Sequence, residues 1–218
     1  MNKLLEILVP GSEDWRLAER LDRARLPAHV AVIMDGNGRW ANQRHLPRVA
    51  GHKAGVDAVR SIIETAARLN LKVLTLFAFS TENWKRPRTE VDFLFRLLRH
   101  YLRGELETLQ RNNVRLEAIG RLDELPHEAR RELDQVREAT RSNNGLQVNL
   151  ALNYSGRAEL LDAVQRLVDR AARSGSAPAV TESMLEAELT TAGLPDPDLL
   201  IRTSGEMRIS NFLLWQIA

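Results

Sequence analysis

Apolar residues are distributed along this chain in two alternating patterns. Short runs at residues 30–34, 72–79, 113–119, 146–152 and 199–201 have the length and β-branched content of strands, the first two reading as strands buried on both faces. Between them lie longer segments whose apolar positions recur every three to four residues. Residues 53–70 place Val56, Val59, Ile63 and Ala67 on one helical face. Residues 89–111 carry a wide stripe of Val91, Leu94, Phe95, Leu98, Tyr101, Leu102, Leu106 and Leu109, and residues 126–141 and 156–173 read as further helices. No hairpin signal separates the strands. The pattern therefore predicts an α/β fold: a single domain with a mostly parallel central β-sheet flanked by helices. Ser12 is placed to cap a short charged helix ending near Pro27, with Trp15, Leu17 and Leu21 as its apolar contacts, so residues 1–26 read as an N-terminal helical appendage to a domain at 27–218. Residues 173–180, rich in Ser, Gly, Ala and Pro, read as a surface loop.

Composition narrows this picture. A length of 218 residues at 44% hydrophobic suits one well-buried domain, and a net charge of +2 implies neither nucleic acid nor an anionic surface as a partner. The absence of cysteine excludes disulfides, thiolate metal sites and a thiol nucleophile. The first ten residues are too briefly apolar for a signal peptide or a membrane span, which points to a cytoplasmic protein. Four lysines stand against 27 arginines. A GC-biased genome accounts for most of that excess, and arginine is also the better grip for a diphosphate.

The candidate chemistry follows the strands. After the first comes Asp35-Gly36-Asn37-Gly38-Arg39, where two glycines permit positive φ and close approach of backbone N–H groups to an anion, and Arg39 adds a forked donor. A carboxylate beside a diphosphate makes sense if a cation, most simply Mg²⁺, lies between them. An EF-hand is excluded, because the fifth, sixth and twelfth positions from Asp35 hold Arg39, Trp40 and Leu46. A dinucleotide fingerprint (Gly36, Gly38, Ala41) and a plain glycine turn with a solvated Asp35 both remain open. Arg44, Arg48 and His52 precede the 53–70 helix at spacings of four, as an anion site or a solvated basic face. Residues 80–87, S-T-E-N-W-K-R-P, crowd polar groups at the end of the second strand, and 202–210 do the same after the last. If these ends converge, the site holds Asp35, Asn83, Arg39, Arg48, Arg86, Arg202 and Arg208, with no nucleophile and no histidine cluster, a set suited to diphosphate chemistry. The stripe on 89–111 reads as core packing or as one wall of an apolar cleft.

Four stretches together carry a resemblance. They are H-V-A-V-I-M-D-G-N-G-R-W-A at 29–41, G-H-K-A-G at 51–55, L-F-A-F-S-T-E-N-W-K-R-P at 76–87 and I-R-T-S-G-E-M-R-I-S-N-F-L-L-W-Q at 201–216. In this order they resemble the cis-prenyltransferases, of which undecaprenyl diphosphate synthase is the bacterial type. The resemblance runs from about Pro27 to the end of the chain. It implies an enzyme that extends an allylic diphosphate, usually farnesyl diphosphate, with isopentenyl diphosphate units in cis geometry, using Mg²⁺ and acting as a homodimer. The product would be a long-chain polyprenyl diphosphate such as the carrier-lipid precursor of the cell wall, released through transient contact with a membrane surface. Asp35 would be the Mg²⁺-linked catalytic acid. Gly36, Asn37, Gly38, Arg39, Trp40, Arg48 and His52 would hold the allylic diphosphate, together with Ser80, Thr81, Glu82, Asn83, Trp84 and Arg86. Arg202, Arg208, Ile209 and Ser210 would hold isopentenyl diphosphate, and the 89–111 stripe would become a tunnel wall. The family gives Asn83 the proton-accepting part. An amide is barely basic, so Asn83 is expected to position a group while a diphosphate oxygen, or His52, takes the proton. A non-catalytic partner subunit is the alternative, against which the intact Asp35 and arginine set argue. Family members continue through another helix and strand and carry a further Mg²⁺-linked glutamate, whereas this sequence stops at Ala218 within an apolar run. The expectation is a longer natural protein, with Mg²⁺ binding, isopentenyl diphosphate binding and the dimer contact weaker in the chain as written.

Overall fold

Side chains of His29–Ile33 (β1) are buried throughout, and those of Val73–Ser80 (β2) nearly so, which is why both strands sit inside the sheet and not at its edge. They pair in parallel from His29↔Val73 to Ile33↔Phe77. Arg115–Ile119 (β3) and Gln147–Tyr154 (β4) extend the sheet beyond β2, and Leu199–Arg202 (β5) closes it beyond β1, giving the order β3-β4-β2-β1-β5 with all pairs parallel. Parallel strands put all their C-terminal ends on one edge, where open α/β sheets build their sites. The computed structural model describes residues 4–175 and 179–218.

Helices cover both faces. Glu13–Glu19 (α1) is capped by the Ser12 hydroxyl, which accepts from the Trp15 N–H, and a 3-10 turn follows at Arg23–Arg25. The helix expected to run to Pro27 is thus one short helix and a turn, and Leu17 and Leu21 are exposed while Ala18 and Leu4 are buried. Asn37–Asn42 (α2) is a helix where a loop was expected. Arg48–Leu69 (α3) begins five residues earlier than the apolar periodicity suggests, because Pro47 sets its N-cap, so Arg48 and His52 lie inside this helix instead of preceding it. Arg88–Arg111 (α4), His127–Ala139 (α5), Gly156–Ser174 (α6) and the short Glu182–Glu186 (α7) complete the chain. Of the expected 173–180 loop, 173 and 174 end α6, and 176–178 lie outside the described residues.

Strand alternation sorts the core. Val30, Val32, Leu74, Leu76, Val148 and Leu150 point to the face covered by α3, α4 and α5, each contributing roughly 1.5–3 kcal/mol of burial if fully removed from water. Ala31, Ile33, Phe77, Ala151 and Tyr154 point to the other face, against Phe212 and Leu213. Phe212 stacks on Phe77 at 4.5 Å, which pins the C-terminal segment under the sheet. The second strand also carries a buried Thr75, whose hydroxyl bonds the His29 ring at 2.8 Å and receives Asn149 at 3.3 Å.

Candidate active site

Where β1 ends, the chain reverses through Gly36, whose φ of +100° only glycine adopts at little cost, and a Cβ there would meet the Ser204 hydroxyl at 2.5 Å. Asp35 is locked from both sides. Its N–H donates to Thr203 Oγ1 (2.9 Å), and that hydroxyl donates back to the Asp35 carbonyl (2.6 Å). Its carboxylate accepts from the Gly36 N–H (2.6 Å) and from Arg202 (2.8 Å), and forms an ion pair with Arg39 at 3.1 Å. Burial alone would raise the Asp35 carboxyl, but the hydrogen bonds from Arg202 and Gly36 and the charges of Arg202 and Arg39 outweigh it and hold it below the ordinary aspartate value. Arg202 also donates to the Arg208 carbonyl and to Ser210 Oγ (2.8 Å), while Glu206 bridges Arg39 (3.2 Å) and Arg208 (2.7 Å). Asp35, Gly36, Arg39, Arg202, Arg208 and Ser210 are therefore one cluster. Ile209 is partly exposed, at 40%.

The second of the expected glycine hinges does not exist as such. Gly38 is helical, and its missing side chain makes room for the Arg48 guanidinium, which would lie 3.1 Å from a Cβ there. Trp40 stands on the outer side of α2 with Arg44 over its ring at 4.3 Å, and lines a shallow groove with Asn37 and Arg39 that adjoins the apolar cavity and shares Asp35 and Asn37 with it.

A second cluster forms across the cavity mouth. The carboxylate of Glu90, in the first turn of α4, receives Arg86 at 3.0 Å and has Arg48 at 3.6 Å and His52 at 3.5 Å. Burial, followed by the Arg86 charge, pushes the His52 ring below its usual value. Ser80 and Asn83 cap the 3-10 turn Thr81–Lys85 reciprocally, so the Asn83 carbonyl oxygen is committed to the Ser80 N–H at 3.1 Å. Thr81 bonds Glu82 (3.3 Å), and Glu82 receives Asn211 (2.9 Å), which ties this turn to the C-terminal segment. Trp84 donates to Asn153 (2.7 Å) and packs against Phe79 and Phe95, so it anchors the turn to β4.

Between the clusters opens an apolar cavity of about 370 Å³, with Asp35, Asn37, His52 and Thr203 at one end. Val56, Val59 and Ile62 of α3 form one side, Leu94, Phe95, Leu98 and Tyr101 of α4 another, and Leu76, Leu150 and Leu152 the sheet side. The 89–111 stripe thus serves two purposes. Leu94, Phe95, Leu98 and Tyr101 line the cavity, while Val91, Leu102 and Leu109 are buried core. Glu90, Thr203 and Glu206 went unread in the sequence, although all three lie within or beside the motifs. A polar mouth with one carboxylate at its centre, paired arginines on both sides and an apolar bore can seat a phosphorylated head group and a hydrocarbon tail.

The prenyltransferase family model for undecaprenyl diphosphate synthase matches residues 33–218. The chain belongs to this family. The isoprenyl transferase of Heliobacterium mobile is 50% identical over 209 residues, which is 95% of this chain and 80% of that protein. The isoprenyl transferase of Bacillus cereus is 51% identical over 203 residues, 93% of this chain and 79% of that protein. Among solved structures, lavandulyl diphosphate synthase from Lavandula x intermedia, in complex with dimethylallyl diphosphate, matches with a TM-score of 0.83 at 35% identity, over 87% of this chain and 83% of that one. The protein is a prenyltransferase, and its family elongates prenyl chains. Among the described residues no helix is long and apolar enough to cross a membrane.

Proposed function

We propose that this prenyltransferase condenses isopentenyl diphosphate with an allylic diphosphate, farnesyl diphosphate as starter, in cis geometry, and yields a long-chain polyprenyl diphosphate of the cell-wall carrier-lipid type. The observation that carries the proposal is the apolar cavity opening directly on Asp35 between two arginine clusters. The allylic tail would enter the cavity, with its diphosphate at the backbone amides of Gly36 to Arg39 and within reach of Arg48, Arg86 and His52. Arg202, Arg208 and Ser210 would hold isopentenyl diphosphate beside Asp35. The dimethylallyl diphosphate complex of the lavender enzyme supports an allylic diphosphate as ligand.

The reaction breaks the allylic carbon–oxygen bond, lets the isopentenyl double bond attack that carbon and removes one proton. The arginines lower the barrier by neutralising the departing diphosphate in a site partly screened from water. Asn83, with its carbonyl oxygen already bonded to Ser80, serves to position the turn and substrate, and a diphosphate oxygen takes the proton. Asp35 fits a Mg²⁺ role: its carboxylate lines the cavity, it is held ionised, and Mg²⁺ is satisfied by one or two carboxylates plus substrate phosphates. Bound Mg²⁺ would offset diphosphate charge as the leaving group departs. We further propose that the protein is cytoplasmic, that it is a homodimer, as the family resemblance implies, and that it meets a membrane surface transiently when product leaves.

The test is product analysis with radiolabelled isopentenyl diphosphate, Mg²⁺ and a series of allylic starters. Cis-configured polyprenyl diphosphates are expected, with farnesyl diphosphate the preferred starter. Failure to incorporate label with every starter would overturn the proposal.

A further inference from the structure

We propose that Glu90 is the positioning residue of the allylic diphosphate subsite, its carboxylate gathering Arg48, Arg86 and His52 at the cavity mouth before substrate arrives. The inference rests on the reading above that these three side chains meet the diphosphate. The geometry itself does not depend on it.

Three donors from separate places converge on one carboxylate. Arg86, at the end of the 3-10 turn, reaches Glu90 Oε1 at 3.0 Å, Arg48 approaches Oε2 at 3.6 Å from the first turn of α3, and His52, one turn further along α3, lies 3.5 Å from Oε1. The Glu90 side chain is only 11% exposed, whereas that of Arg48 is 64% exposed. A long exposed arginine left to itself samples many rotamers, and two guanidinium groups facing one mouth repel each other. A fixed counter-charge removes both problems at once. Glu90 can fill this role because Pro87 ends the preceding turn and α4 starts at Arg88, so its carboxylate is presented from a helix first turn, where a negative charge is favoured. Of this cluster only His52 lines the cavity itself, while Glu90, Arg48 and Arg86 stand outside its lining. The bonds it offers are also replaceable. The Arg48 and His52 approaches are too long for good hydrogen bonds, and the His52 Nε2 atom has no hydrogen-bond partner, so an incoming phosphate oxygen can recruit both without breaking a strong contact. The other mouth cluster differs: there Arg39 and Arg202 bond Asp35 directly, at 3.1 and 2.8 Å.

Glu90→Gln keeps the shape and removes the charge. Inorganic diphosphate titrated by calorimetry is expected to bind about tenfold more weakly to this variant, because the arginines are no longer arranged in advance. In steady state the KM for farnesyl diphosphate should rise by a similar factor, with kcat and the KM for isopentenyl diphosphate nearly unchanged. Unchanged or tighter diphosphate binding overturns the proposal, as does an equal rise in both KM values or a loss confined to kcat. A double-mutant cycle guards against a general structural effect. If Glu90 acts through the arginines it gathers, adding Glu90→Gln to the Arg48→Ala, Arg86→Ala pair costs little more diphosphate affinity than that pair alone, and full additivity sinks the idea. Should wild type incorporate no isopentenyl diphosphate, the proposed reaction fails, while the diphosphate titrations still judge Glu90.

Discussion

The mouth and the bore of the same cavity are built from opposite materials. At the mouth, Asp35, Arg39, Arg202, Glu206 and Arg208 satisfy one another, and Glu90 collects Arg48, Arg86 and His52. Pairs as exposed as Arg39–Glu206 contribute only about 0–1 kcal/mol each to stability. In the bore, Val59, Leu76, Leu98 and Tyr101 are packed hydrocarbon and ring, where each buried group carries several times that and volume decides the outcome. Charge placement at the mouth should therefore govern rate with little effect on folding, and shape in the bore should govern what fits and how firmly the protein stands.

The largest effect expected is at Asp35. Replacing it with alanine removes a carboxylate that the Gly36 N–H and Arg202 hold, on a backbone clamped by the Thr203 hydroxyl, and kcat should fall on the order of 10²-fold or more if transition-state charge stabilisation is lost. The thermal midpoint should scarcely move. Turnover near the wild-type rate would erase the distinction between mouth and bore at its strongest point.

Within the mouth, Arg202→Lys and Arg208→Lys sharpen the comparison. Arg202 uses separate nitrogens for Asp35 and for the Arg208 carbonyl with Ser210, a forked arrangement that a lysine ammonium does not reproduce. Each variant should weaken isopentenyl diphosphate by about tenfold while leaving the allylic KM much less changed, since one good charged contact is worth roughly that much. Equal losses for both substrates would show that the two arginine clusters are not two subsites.

The bore was easier to read in the sequence than the mouth, for a physical reason. Periodicity reports burial, so the 89–111 stripe and the runs at 30–34 and 72–79 announced helix, strand and sheet core. Periodicity cannot tell a core residue from a cavity wall, which is why Val91 and Leu94 looked alike and turned out different. At the mouth, G-N-G read as a loop because glycine disfavours helix, yet α2 forms by tertiary packing: Gly51 of α3 lets the Asn37 carbonyl approach to where a Cβ would lie 1.9 Å away. Glu90 and Glu206 escaped notice because the reading counted cations for a diphosphate and did not ask what neutralises those cations before it binds. An arginine cluster needs counter-charges in its free state, and a carboxylate within or just beyond a basic motif is the signal to look for.

A smaller effect is expected from Leu98→Trp, in the bore. If Leu98 faces the growing chain, the bulkier ring shortens the products; it should also destabilise the fold by roughly 1–3 kcal/mol through overpacking. Product chain length by thin-layer chromatography and the urea midpoint together decide. Unchanged length with lowered stability would mean that this wall is ordinary core.

The smallest effect concerns pH, and it sets one histidine of the mouth against one beneath the sheet. Burial pushes both His52 and His29 below the usual histidine value, in His52 with the help of Arg86 and in His29 against the pull of the Pro195 carbonyl. The His29 proton is assigned to Nδ1, which donates to that carbonyl at 2.7 Å, leaving Nε2 to accept from the Thr75 hydroxyl. A second proton on His29 would therefore cost a buried hydrogen bond as well as desolvation. Because both folded-state values lie below the unfolded value of about 6.5, the unfolded chain takes up protons first as pH falls. Stability is thus complete above about pH 6.5 and declines below it, until the folded-state values are passed. Thermal midpoints measured between pH 7.5 and 5.5 should fall across that window, and His52→Gln should remove only part of the slope, because the better-anchored His29 remains. A flat profile in wild type would contradict the burial of both rings. Complete loss of the slope in His52→Gln would place the whole effect at the mouth and leave His29 protonated without cost, which its bonds to Pro195 and Thr75 do not allow.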